Sequence, residues 1–97
     1  MRPSEALAKH RDEVLAIIAR YPVTNPRVFG SVARGEDVEG SDIDILVDPV
    51  FEVTTFAHLG ELRGELTEIL GIDVDVSTPG GLRSQTLGRI APELLPL

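Results

Sequence analysis

Two short segments of this 97-residue chain alternate acid with aliphatic, and that alternation constrains the fold more than any other feature. In Asp42-Ile43-Asp44-Ile45-Leu46-Val47, an extended strand points successive side chains to opposite faces, so Asp42 and Asp44 share one face while Ile43, Ile45 and Val47 share the other. In Ile72-Asp73-Val74-Asp75-Val76-Ser77, the same rule sets Asp73, Asp75 and Ser77 against Ile72, Val74 and Val76. Between them Phe56, Leu59, Leu62, Leu66, Ile69 and Leu70 recur at helical spacing, with Thr54 or Thr55 to cap the helix and Gly71 to end it. A strand, a helix and a strand in that order place the two acid-bearing strands side by side and parallel, joined by a right-handed crossover. An acid of the second strand then completes a cluster with Asp42 and Asp44, and both Asp73 and Asp75 are on the right face.

The flanking sequence adds elements around this unit. Ser4 is placed to cap a helix beginning near Glu5, whose apolar residues Leu7, Val14, Ile17, Ile18 and Tyr21 lie on one face and which Pro22 stops. Residues 23–26 read as a turn, 27–29 as a short strand entering Gly30-Ser31, and 32–34 as a short helix. The acid strand closes at Pro49. Gly60 and Gly64 each weaken the second helix by about 1 kcal/mol relative to Ala, which suggests close packing there. His10 and His58 read as helix-surface residues. In the tail, residues 79–97, Leu82, Leu87, Ile90 and Leu94 fit a helix broken by Pro92 and Pro96. The expected fold is α/β (α+β), a small mixed sheet of three to four strands packed with helices, in one domain spanning residues 1–97.

Paired carboxylates repel, each raising the other's pKa, unless a cation lies between them. With no Cys in the chain and no His nearby, the donors are hard oxygens suited to magnesium or manganese rather than zinc. The Gly30-Ser31 turn offers backbone N–H groups and a hydroxyl suited to phosphate oxygens. Two other readings fail. Gly30-Ser-Val-Ala-Arg-Gly35 has P-loop spacing, but Glu36 and Asp37 stand where Lys and Ser or Thr are required. A calcium loop starting at Asp42 needs a glycine at its sixth position, which is Val47. The plain alternative for the acids is a solvated sheet face, against which Gly30-Ser31 upstream and Asp75 downstream both weigh. A net charge of −7 disfavours gripping a nucleic-acid backbone and favours a neutral or basic protein partner. No apolar run approaches the roughly 18 residues of a membrane span, and the N-terminus lacks the apolar core of a signal peptide, so a cytoplasmic location is expected.

Gly30-Ser31, ten intervening residues and Asp42-x-Asp44 together resemble the signature of the DNA polymerase beta-type nucleotidyltransferase superfamily. The surrounding GSVARGE and SDIDILV resemble the minimal nucleotidyltransferases, MntA-like antitoxins of HEPN/MNT toxin–antitoxin systems, and the resemblance extends over roughly residues 21–95. It implies a polymerase beta-like fold and ATP entering as a magnesium complex. It also implies a metal on Asp42 and Asp44, and a second metal shared with Asp75, since Val74-Asp75-Val76 matches the family's Val-Asp-Val better than Asp73 does. By the same resemblance Gly30 and Ser31 hold the terminal phosphates. Arg34 matches the arginine of the family's GSxARG, where it either pairs with the triphosphate or buttresses the acid loop; the plain alternative is a surface salt bridge with Glu36 or Asp37. So short a chain leaves little room for an acceptor-binding domain, which with the resemblance points to a hydroxyl of a partner protein, a HEPN-type ribonuclease toxin silenced by adenylylation. The alternative is an antitoxin that neutralises by complex formation alone. Transfer to a small molecule such as an aminoglycoside lacks an acceptor-binding segment. A core this small also gains from a partner or a second copy.

Overall fold

The computed structural model describes residues 1–97. In chain order the elements are α1 (Pro3–Lys9), α2 (Arg11–Ile18), β1 (Val23–Phe29), α3 (Gly30–Arg34), β2 (Ile43–Pro49), α4 (Phe56–Leu70), β3 (Val74–Ser77), α5 (Ser84–Ile90) and β4 (Leu95–Pro96). Tight 3-10 turns occupy Pro79–Gly81 and Ala91–Glu93. The strands form one mixed sheet in the order β3-β2-β1-β4. As the acid alternation requires, β2 and β3 are parallel neighbours, while β1 runs antiparallel to both β2 and β4.

The aliphatic half of each alternating segment makes the core. Ile43, Ile45, Val47 and Val74 are fully buried, clustered with Leu62, Leu66 and Leu70 of α4 and Val14 and Ile18 of α2. Thr55 caps α4, and Gly71, at φ 67°, ends it. His58 is more than a surface residue: its Nδ1 accepts the Thr55 N–H at 3.0 Å and closes the capping box. Leu46, on the acid face, and Ile90 of α5 are buried apart from the main core. The tail lies over that face, its first 3-10 turn against β2 and its second against α3. No helix is long and apolar enough to cross a membrane.

Five local expectations change. The first helix starts at Pro3, and Ser4 is not its cap: the Ser4 N–H donates to Asp37 Oδ2 at 2.8 Å, so a carboxylate from the distant acidic loop serves the helix end. The chain then breaks at His10 into α1 and α2. Residues 23–26 are strand rather than turn, because Asn25, at φ 52°, and Pro26 build a bulge between Thr24 and Arg27 that lets the ladder resume. Phe56 is 93% exposed at the start of α4, ahead of the buried stripe that begins at Leu62. Gly60 and Gly64 face open space, so close packing does not explain them.

That last finding predicts that Gly64→Ala, and separately Gly60→Ala, stabilises the protein by about 0.5–1 kcal/mol in urea unfolding, since a helical Ala loses less backbone freedom on folding. A second prediction concerns Asp37, which is nearly fully buried and held below the ordinary aspartate range chiefly by the Ser4 N–H. A depressed native pKa means that the tether's contribution is complete above the unfolded aspartate pKa and is lost as pH falls through the native one. Asp37→Ala is therefore expected to lower Tm at pH 7, with the gap to the unsubstituted protein narrowing on acidification.

Candidate active site

The turn from β1 into α3 requires glycine for two reasons. Gly30 has φ +75°, and a Cβ placed there would come 2.4 Å from Asp44 Oδ2. The Asp44 carboxylate thus lies directly against the Gly-Ser backbone, as the pairing of Phe29 with Asp44 demands. Beside this contact is a cleft of about 400 Å³ lined by Gly30, Ser31, Arg34, Ser41, Asp42 and Asp44, with Phe29, Arg89, Ile90 and Glu93 completing its wall. Five of the six residues that the sequence singled out therefore share one cleft. Asp75 is outside its lining but is the direct register partner of Asp44 across the parallel pair.

The acids on this face differ in how they are satisfied. Asp48 has its own cation, Arg27, whose Nη2 is 2.6 Å from Asp48 Oδ1, and it also accepts from Asn25 Nδ2 at 3.1 Å. Asp42 and Asp44 take part in no ion pair. Asp44 is half-buried, and that burial, reinforced by the charges of Asp75 and Asp42, raises its pKa against the opposing pull of Arg34. Asp75 is paired with Arg63 of α4 at 3.3 Å, both side chains being 55% exposed. Asp73 precedes β3 and belongs to a separate recess with Gly40 and Ser41, reached also by Asp42.

No three of these carboxylates converge on one point as a closed cage would require. The donor set nevertheless fits a hard divalent cation: it is all oxygen, it is short of positive charge, and the burial and like charges that raise the Asp44 pKa are costs that a cation offsets. Magnesium in particular is held by one or two carboxylates, with water and phosphate filling its other positions, and needs no protein cage.

Glu93, like Arg89 and Ser41, lines the site without having been singled out in the sequence. Its Oε1 accepts the Gly30 N–H at 3.0 Å and its Oε2 accepts Arg34 Nη1 at 3.0 Å, contacts that hold its carboxyl below the ordinary glutamate range. Arg34 also donates from Nε to Glu36 at 2.9 Å. Of the two surface partners weighed for Arg34, Glu36 is the one it pairs with, and Glu93 is a second partner that the sequence did not offer. No spacing rule connects Glu93 to Gly30, because they meet only once the tail is folded over the sheet.

A raised native pKa means that ionised Asp44 destabilises the fold at neutral pH, an effect relieved only as pH falls below that pKa. Asp44→Asn is accordingly expected to raise Tm at pH 7 in metal-free buffer. Adding magnesium should raise the Tm of the unsubstituted protein and leave that of the variant unchanged.

Comparison with known proteins finds relatives in both sequence and fold. The nucleotidyltransferase domain family matches residues 7–94. A candidate protein adenylyltransferase of Methanocaldococcus jannaschii is 39% identical over 80 residues, covering 82% of this chain and 78% of that protein. The protein adenylyltransferase MntA of Thermococcus cleftensis is 38% identical over 78 residues, covering 80% and 75%. Among solved structures, a candidate minimal nucleotidyltransferase superposes with a TM-score of 0.83 at 37% identity, covering 97% of this chain and 95% of the other. A chain of a toxin–antitoxin complex with AMP-PNP shares the fold at a TM-score of 0.75 and 20% identity, covering 88% and 69%.

Proposed function

This chain belongs to the nucleotidyltransferase domain family and is an enzyme of that class; we propose that it transfers AMP from magnesium-bound ATP to a hydroxyl of a partner protein. In this reading it acts as a single domain, residues 1–97, in the cytoplasm, and the partner is a HEPN-type toxin that adenylylation silences. The observation that carries the reading is the seating of Asp44 against the Gly30 backbone, with Asp42 beside it and Asp75 in register across the strand pair.

The family works on nucleoside triphosphates with divalent metal, and the bound metal supplies positive charge to the triphosphate and to the oxygens that exchange at phosphorus. Asp42 and Asp44 are the residues to hold such an ion with the nucleotide. Asp75, exchanging Arg63 for the active complex, is the residue to take the proton of the attacking hydroxyl. That hydroxyl oxygen forms a bond to the α-phosphorus as the bond to pyrophosphate breaks. Ser31 and the Gly30 turn face the phosphates, and Arg34, fixed by Glu93 and Glu36, supports the turn. The register of Asp75 with Asp44, and the charge of Asp75 acting on Asp44, favour Asp75 over Asp73 as the third acid. The names of the relatives support a protein acceptor, and AMP-PNP in the toxin–antitoxin neighbour supports an adenine nucleotide.

A second reading of how the partner is silenced rests on Phe51 and Phe56, which are 87% and 93% exposed close together on the chain. Apolar surface of this kind suits a protein interface, and binding alone would then neutralise the partner.

Label transfer separates the two. Purified protein, magnesium and ATP labelled at the α or the γ phosphate, mixed with the co-expressed partner, is expected to label the partner from the α position only, and Asp42→Asn is expected to abolish it. Full neutralisation of the partner by the Asp42→Asn variant, with no label transferred, would establish silencing by binding instead.

A further inference from the structure

Two arginines, Arg34 and Arg89, line the cleft, and the fold treats them differently. Arg34 is committed on both sides, with Nε on Glu36 at 2.9 Å and Nη1 on Glu93 at 3.0 Å. The neighbouring Gly30 N–H is likewise engaged, by the other oxygen of Glu93. Releasing Arg34 Nη1 or the Gly30 N–H to a phosphate leaves Glu93, only 18% exposed, short of a partner. Arg89 takes part in none of the ion pairs of the protein. Its influence on Glu93 is the weakest of those that lower the pKa of that carboxyl.

Arg89 is also well positioned for a fixed role. It lies on α5 next to Ile90, which is 3% exposed and seats the helix. Three residues further on, Glu93 pins the end of the same segment to Gly30 and Arg34. Arg89, with no ion-pair partner, therefore lines the cleft between two anchored points.

The cleft needs such a charge. A nucleoside triphosphate is strongly anionic, this chain carries a net charge of −7, and Asp42, Asp44 and Glu93 all face the same space. Building on the nucleotidyltransferase reading, we propose that Arg89, rather than Arg34, is the side chain that binds the phosphates of the incoming nucleotide. The planar fork of a guanidinium matches two phosphate oxygens, and with no internal partner to give up, its full charge is available to them. Arg34 then positions the Gly-Ser turn through Glu93.

Calorimetric titration of the full chain with magnesium and AMP-PNP, and with inorganic tripolyphosphate as a ligand lacking base and sugar, tests this. Arg89→Ala is expected to weaken both ligands about 10-fold with Tm unchanged, since the residue is exposed, and Arg89→Lys to recover part of the loss. Arg34→Ala is expected to lower Tm and to weaken the ligands less. If AMP-PNP binds the unsubstituted protein and Arg89→Ala equally well, the inference fails while the nucleotidyltransferase reading stands. If Arg89→Ala weakens AMP-PNP and leaves tripolyphosphate unaffected, Arg89 contacts base or sugar, and its assignment to the phosphates is overturned. Failure of the unsubstituted protein to bind AMP-PNP with magnesium would remove the nucleotide site itself, and this inference with it.

Discussion

The parallel pairing of β2 with β3 is the constraint on which the candidate site depends, because it places Asp44 beside Asp75 at no choice of either residue. Neighbouring strands are about 4.8 Å apart, where two unit charges repel by about 3 kcal/mol at an effective dielectric of 20. The repulsion is smaller here, because Asp75 is 55% exposed and water screens it. Against it stands the burial of Ile43, Ile45, Val47 and Val74, at about 1.5–3 kcal/mol each. The hydrophobic term is the larger, so the core sets the register and the acids are carried along. The raised pKa of Asp44 reflects its burial first and this repulsion second, and it marks where a cation would be stabilising.

The opposite end of the acid face shows what the sheet looks like when the same problem is solved internally. Asp48, two pairs along from Asp44, has Arg27 and Asn25 as partners. One strand thus carries a neutralised carboxylate at one end and carboxylates without ion-pair partners at the other. The difference sets the Gly30 end apart, since its carboxylates lack the internal cation that Asp48 has. The tail strengthens the contrast by covering Leu46 and fixing Glu93 on the Gly-Ser turn, leaving only the Asp42 and Asp44 end open as a cleft.

Much of this was legible before the structure. Period-two alternation in 42–47 and 72–77 and period-three-to-four spacing in α4 specify strand, helix and strand, since each pattern has one regular structure that buries its apolar face. Gly30 and Gly71 were legible for the backbone conformations they permit. The readings that changed were those in which local chemistry allowed more than one outcome. Asn25 and Pro26 fit a turn as well as a bulge, and the pairing of β1 with β2 decided for the bulge. Ser4 is a good cap by type, but Asp37 reached the helix end from another part of the chain. Gly60 and Gly64 suggested a neighbour and have none.

By itself, then, the sequence determined which residues face the core, which strands must pair, and that Asp42, Asp44 and an acid of the second strand lie on one face beside a Gly-Ser turn. These follow from periodicity and connection length, which act over a few residues. Only the tertiary structure decided that Asp75 rather than Asp73 is in register with Asp44, that Glu93 occupies the Gly30 N–H and Arg34, and that Arg89 is left without an ion-pair partner over the cleft. The first follows from the pairing of β2 with β3 over the buried aliphatics, and the other two from where a tail some sixty residues downstream comes to rest, which is set by the burial of Ile90 and the packing of its turns against β2 and α3, for which no short-range pattern exists.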